Sequence, residues 1–180
     1  RPRRLIGYAL PMPRGLGIDP GSLLTGFGCL EPDPRAPGSA RVIDGGVIRL
    51  KRGASLSERL YQLHEDLTGI IRELRPDLIA VEALFTHYQK PAPVIVMGHA
   101  RGVILLAAKQ ASLPLTELRP AEVKKAVTGF GNAKKPQIQR SIAAELGVEL
   151  AGPADVADAL AIALCALRRS RLELPAAVPV

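Results

Sequence analysis

The chain has 180 residues, of which 47% are hydrophobic and 23% charged, with a formal net charge of +7. That length suits one domain with a buried core and is short for two, and no apolar run approaches the roughly 20 residues of a membrane-spanning helix. Two isolated cysteines, Cys29 and Cys165, read as core residues, which excludes a disulfide scaffold or a zinc framework.

The charge is unevenly placed. Arg1, Arg3, Arg4 and Arg14 account for four of the seven positive charges, no acid lies among the first fourteen residues, and the remainder carries only +3. Residues 1–14 therefore read as a basic, disordered leader, with a native start expected at Met12. Its apolar stretch is brief and is broken by Gly7, unlike a signal peptide, so a cytoplasmic location is expected.

From Leu16 an apolar strand runs into Asp19, and Pro20-Gly21 turns the chain at once into a second strand through Gly28. Asp19 has two readings, a carboxylate that caps the turn or half of a metal site. The glycines that follow read as clearance for a backbone or for a ligand phosphate. Glu31 to Ala40 is a loop by composition, and Arg41 to Leu50 a third strand that completes an antiparallel meander. Ser57 to Arg75 has leucines and isoleucines at helical spacing, with Ser55 or Ser57 as N-cap and Pro76 as the stop. Leu78 to Val81 is a strand that ends at Glu82, so a second apolar strand delivers a carboxylate at its C-terminal end.

Thr86 to Pro93 is a polar loop containing His87. Val94 to Gln110 is an apolar helix with Gly98 and Gly102 one turn apart; these small residues pack either on the helix's own sheet or against a second copy of the chain. A fifth strand is expected over Leu113 to Leu118, a short helix over Ala121 to Val127, a glycine-containing loop over Gly129 to Lys135, and helices over Pro136 to Leu146 and Ala154 to Arg171. His64 and His99 fall within helices. Strand, crossover helix and strand must be parallel and right-handed, which makes strands one, four and five adjacent and brings Asp19 and Glu82 to one sheet edge.

The last helix holds Asp155 and Asp158 at i, i+3 on one face, with no other charge before Arg168. First-turn acids suit the helix dipole, but two acids in so apolar a helix are costly unless a cation neutralises them, and no Lys or Arg is near in sequence. Four carboxylates with oxygen ligands only select Mg²⁺ or Mn²⁺, and two such ions suit phosphodiester hydrolysis. Residues 119 to 140 supply Arg119, Lys124, Lys125, Lys134, Lys135 and Arg140 against the single acid Glu122, a cationic patch for a phosphate backbone. Phe85, three residues beyond Glu82, is either core or a residue that stacks on an unpaired base.

Five segments in order resemble the bacterial RuvC-type Holliday junction resolvases: Gly17 to Gly28, Val81 to Phe85, Met97 to Gly102, Val123 to Lys135 and Ala154 to Ala163. The resemblance covers about residues 16 to 170. It implies a ribonuclease-H-like α/β fold with a five-stranded mixed sheet, in one nuclease domain over residues 15–172 and with a flexible tail over 173–180. It also implies a homodimer, through the Val94 to Gln110 helix, that nicks four-way DNA junctions symmetrically to leave 5′-phosphate and 3′-hydroxyl ends. By position, Asp19, Glu82, Asp155 and Asp158 would hold two Mg²⁺ or Mn²⁺ ions, Phe85 would stack at the junction, and Lys124 and Lys135 would lie near the scissile phosphate. The branch-migration complex RuvA and RuvB is the implied partner. Ala83 and Lys134 depart from the family's pattern, and the Arg-rich leader has no counterpart in it. Two other classes fit part of the chain: an actin-like or sugar-kinase ATPase, which needs a second domain, and a non-catalytic module for branched DNA.

Overall fold

Strands β1 (Gly15–Asp19), β2 (Leu24–Pro32) and β3 (Ala40–Arg49) form the expected antiparallel meander, which helix α1 (Leu56–Leu74) then leaves. Strand β4 (Leu78–Glu82), helix α2 (Pro91–Gln110) and strand β5 (Leu115–Leu118) follow, then helices α3 (Pro120–Thr128), α4 (Lys135–Leu146) and α5 (Ala154–Glu173). The sheet order is β3-β2-β1-β4-β5, with β1, β4 and β5 parallel. This computed structural model describes residues 13–36, 38–83, 91–150 and 152–173.

Alternation along the strands decides what each sheet face carries. Leu16 and Ile18 of β1 and Ile79 of β4 point into a core closed by α1 and α2, with Leu63, Leu67, Ala100 and Ile104. Leu78 and Ala80 of β4 point the other way, into a core with Leu118 of β5 and residues 160–167 of α5. With period two, Asp19 shares the face of Gly15 and Gly17, and Glu82 that of Leu78 and Ala80. Both carboxylates therefore belong to the face covered by α5. In the register Ile18 pairs with Val81, so Asp19 and Glu82 sit at adjoining strand ends.

Helix α5 rests almost on the backbone of the strands. A Cβ at Gly17 would lie 2.1 Å from the Ala159 carbonyl oxygen and 2.5 Å from the Ala163 nitrogen, and one at Gly26 only 2.2 Å from the Asp155 carbonyl oxygen. At Gly28 it would meet Leu160 at 2.7 Å. Gly26 and Gly28 thus give clearance to a helix of the same chain; the expectation that they clear a DNA phosphate is corrected.

Helix α1 begins at a capping box in which the Glu58 amide donates to Ser55 Oγ at 3.3 Å and the Ser55 amide to Glu58 Oε2 at 2.8 Å. It ends where Arg75, at φ 48°, donates its amide to the Ile71 carbonyl before Pro76. Ser55→Ala is expected to cost about 1 kcal/mol, a fall in Tm of roughly 2–4 °C by calorimetry.

Strand β5 starts two residues later than its apolar run suggests. The Leu113 amide is spent on the Ala108 carbonyl at the end of α2, and Pro114 has no amide to give, although its carbonyl accepts from Ile79 at 2.9 Å. Arg14, read with the leader, is instead bound into the fold. Its backbone exchanges hydrogen bonds with Asp77, and its side chain donates to Glu31 at 2.6 Å and to the Leu74 carbonyl at 2.5 Å. Residues 1–12 and 174–180, covering most of the expected leader and tail, lie outside the described residues. Cys29 and Cys165 are buried and free, and burial pushes both thiols up to about 11. No helix among the described residues is long and apolar enough to cross a membrane.

Candidate functional site

The C-terminal ends of β1 and β4, the start of α4 and the 158–161 stretch of α5 open into one cleft of about 740 Å³. Asp19, Glu82 and Asp158 line it together with Lys124, Lys134 and Lys135, with Pro120, Val123 and Ile138 as apolar floor. A second hollow, about 350 Å³ beside β3 and lined by Val42, Val148, Leu150 and Val156, holds no such cluster of charge.

Why these side chains meet follows from the fold. Asp19 and Glu82 arrive on adjacent parallel strands, and α5 is seated by the glycines so that Asp158, one turn into it, comes close to both. Lys135 is the first residue of α4, whose start is fixed where the Lys134 amide donates to Gln137 Oε1 at 2.8 Å. From there Lys135 Nζ donates to Asp158 Oδ2 at 2.9 Å. The sequence shows no cation near Asp155 and Asp158; the fold brings one across 23 positions.

The electrostatics are those of crowded like charges. Burial first, then the charges of Asp158, Glu82 and Asp155, push the Asp19 carboxyl up to about 7 against the partial relief of Lys135. Burial and Asp158 likewise raise Glu82, opposed by Lys124 and Lys135. The bond to Asp158 raises Lys135.

The expected convergence of four carboxylates is met in part. Asp155 does not line the cleft; its charge reaches Asp19, and its carbonyl lies against Gly26. Among the described residues no group of three or more His, Cys, Asp and Glu side chains is disposed to hold a metal ion as it stands. The donor set nevertheless fits a hard cation: it offers oxygen alone, and the raised Asp19 carboxyl marks an uncompensated negative field that a divalent ion would relieve.

That field predicts a coupled dependence on pH and metal. A carboxyl whose pKa is raised by folding contributes stability below its unfolded value near 4 and loses it as the pH climbs through about 7. Metal-free protein is thus expected to melt at a lower temperature at pH 8 than at pH 5.5. Magnesium should restore most at pH 8, where no proton must be displaced. A hundredfold excess over Kd is worth about 2.7 kcal/mol, or roughly 5–10 °C by calorimetry in EDTA against Mg²⁺.

The rest of the cationic patch is spread around the cleft. Arg119 is exposed and 4.0 Å from Glu122. Lys125 faces solvent on α3, and Arg140 lines a neighbouring hollow with the exposed Phe130. Phe85 and His87 lie outside the described residues. His64 pairs with Gln110 at 2.6 Å and His99 with the Ile95 carbonyl at 2.8 Å, both as helix residues away from the cleft. One residue the motifs left without a role is Arg101, buried beneath β4 and bonded to the Glu82 carbonyl. Its signal was a lone charge in the apolar stretch from Val94 to Ala108.

Comparison with known proteins places this geometry. The family model for crossover junction endodeoxyribonuclease RuvC matches residues 15–166. The crossover junction endodeoxyribonuclease RuvC of Rhodopirellula baltica is 44% identical over 152 residues, covering 83% of each chain. The Thermus thermophilus RuvC structure superposes with a TM-score of 0.79 at 32% identity, covering 88% of this chain and 96% of that one. T. thermophilus RuvC in complex with Holliday junction substrate also superposes with a TM-score of 0.79, at 28% identity, over 89% of this chain and 96% of that one. The overall fold is thus one already seen with junction DNA.

Proposed function

This chain belongs to the RuvC family of crossover junction endodeoxyribonucleases, and from that membership we propose that it resolves four-way DNA junctions by paired symmetric nicks in homologous recombination and repair. The observation that carries the proposal is the cleft itself, where strand-end carboxylates on one wall face lysines on the other. Such a wall repels a lone phosphate and the other attracts it, a contradiction that a divalent cation between them removes.

Nucleases of this family are metal-dependent. Two ions of the magnesium or manganese class, held by Asp19, Glu82, Asp155 and Asp158, would activate the attacking water and offset charge on the leaving oxygen. The protein's own groups do the positioning. The β1–β4 register fixes the spacing of Asp19 and Glu82, and α5 sets Asp158 across from them. Lys135, bonded to Asp158 through one of its three donors, keeps two for the scissile phosphate. Lys124, Lys125, Lys134, Arg119 and Arg140 track the backbone, and Phe85 stacks at the branch point. Products carry 5′-phosphate and 3′-hydroxyl ends.

Two sites must act together on one junction, which calls for a second copy. The outward face of α2 suits that role: Ile95 and Leu106 are 58% and 52% exposed, Gly102 opens on empty space, and Ala100, Ile104 and Ala107 face inward. Gly102 therefore does not serve packing on the chain's own sheet, Gly98 lines the same open groove, and we assign both to a homodimer interface. The domain so defined spans residues 15–172, works in the cytoplasm, and receives its junctions from the branch-migration complex RuvA and RuvB.

Incubating the purified protein with a synthetic four-way junction, a matched linear duplex and ATP, in Mg²⁺ or Mn²⁺, tests the proposal. The expected result is paired nicks in the junction alone. ATP turnover without nicking would restore the kinase-like reading, and junction binding without nicking the binding-module reading.

A further inference from the structure

Arg101 sits in the middle of the apolar helix α2, yet among the described residues only it and Thr25 are polar or charged and buried. A guanidinium taken out of water is costly unless its donors are satisfied. Here Nη1 donates to the backbone carbonyl of Glu82 at 2.8 Å, and Nη2 is paired with the Glu117 carboxylate on β5. One side chain therefore ties the C-terminal ends of two neighbouring strands to the helix beneath them.

The place of that tie gives it meaning. Pairing of β1 with β4 ends at Ile18–Val81, so Glu82 lies one residue beyond the last β1 partner. On the other side the ladder runs on only to the bond from the Ala83 amide to the Leu118 carbonyl at 2.8 Å. The direction of the Glu82 carboxylate therefore depends on how its own peptide unit is held. Helix α2 covers the face of the sheet away from α5, so Arg101 grips the backbone without competing for the carboxylate in the cleft.

We infer that Arg101 is a positioning residue: by clamping the Glu82 carbonyl to Glu117 it fixes the angle at which β4 presents the Glu82 carboxylate to a divalent cation. The inference rests on reading Glu82 as a ligand of the nuclease site. It goes beyond the motifs, which leave this arginine without a role, and it accounts for a buried charge that core packing does not need.

The test compares wild type with Arg101→Gln, Arg101→Lys and Glu117→Gln. Mn²⁺ binding is measured by isothermal calorimetry without DNA, the Mg²⁺ dependence of junction nicking in single turnover, and junction affinity in EDTA. Losing a residue that orients a ligand typically weakens metal binding by about 10- to 100-fold. Arg101→Gln is thus expected to weaken Mn²⁺ binding and raise the half-saturating Mg²⁺ by at least about tenfold, with junction affinity within about twofold of wild type. Arg101→Lys, able to reach one partner, should fall between, and Glu117→Gln should show a smaller shift in the same direction. Unchanged Mn²⁺ affinity in the folded variants, whatever their melting temperatures, overturns the inference, as does a wild type that binds no Mn²⁺. If Arg101→Gln does not fold, the other two variants carry the same comparison. A wild type that binds Mn²⁺ but leaves junctions intact refutes the nuclease reading, while the Mn²⁺ affinities still decide the role of Arg101.

Discussion

Asp19→Asn is expected to lower junction nicking in Mg²⁺ by at least about a thousandfold while leaving junction affinity within about threefold of wild type. The two readouts separate because different groups carry them. On the reading proposed above, affinity comes from lysines and arginines on phosphates, with a steep salt dependence, and the substitution removes none of them. Nicking needs a cation held among carboxylates, and Asp19 is the group closest in charge to all three others. A second consequence runs against the first. The amide is nearly isosteric but uncharged, so it removes the repulsion that holds Asp19 near 7, and the metal-free variant should melt higher than wild type at pH 8. Gain of stability with loss of activity marks a site strained for function. Wild-type nicking by this variant, measured on labelled junctions, would refute the assignment of the site.

The other large effect belongs to the backbone. Gly17→Val is expected to destabilise the protein by at least about 3 kcal/mol in urea unfolding, and Gly17→Ala only somewhat less. An added Cβ would sit 2.1 Å from a carbonyl oxygen and 2.5 Å from an amide nitrogen of α5. Overpacking against side chains costs about 1–3 kcal/mol, because rotamers give way. Helix backbone gives way only if the whole helix lifts. Lifting α5 would open the core around Leu160, Ile162 and Leu164 and carry Asp155 and Asp158 away from Asp19. A loss below 1 kcal/mol in either variant would show that α5 does not bear on β1 at this point.

The sequence made the strand ends readable because local chemistry fixes them. An apolar run stopped by an acid and a Pro-Gly turn has one natural place for the acid, and the crossover rule then makes Asp19 and Glu82 neighbours. Period two, read with Leu16 and Ile18 on one face, would also have placed both acids under the last helix. What sequence could not supply was contact made across long separations. Lys135 reaches Asp158 from a different helix, and nothing in the composition of either segment announces the pair. The glycines after Asp19 were legible as close approaches but not as to what approaches them, since a helix backbone and a phosphate ask for the same absent Cβ. Arg14 looked like leader because its charge matched its neighbours; its partners Glu31 and Asp77 lie 17 and 63 positions away. Arg101 left a trace in its isolation, but one of its two partners is a backbone carbonyl, which no residue type can advertise.

The seating of α5 also bears on the order in which the chain is made. This helix follows every other described element along the chain, and until it docks the face of the sheet bearing Leu30, Leu78, Ala80 and Leu118 lacks its main cover. The same docking step brings Asp158 opposite Asp19 and Glu82. Completion of the hydrophobic core and arming of the nuclease are therefore one event. A chain made only as far as α4 would carry the cationic residues 119–140 and the strand ends bearing Asp19 and Glu82, and still lack Asp155 and Asp158.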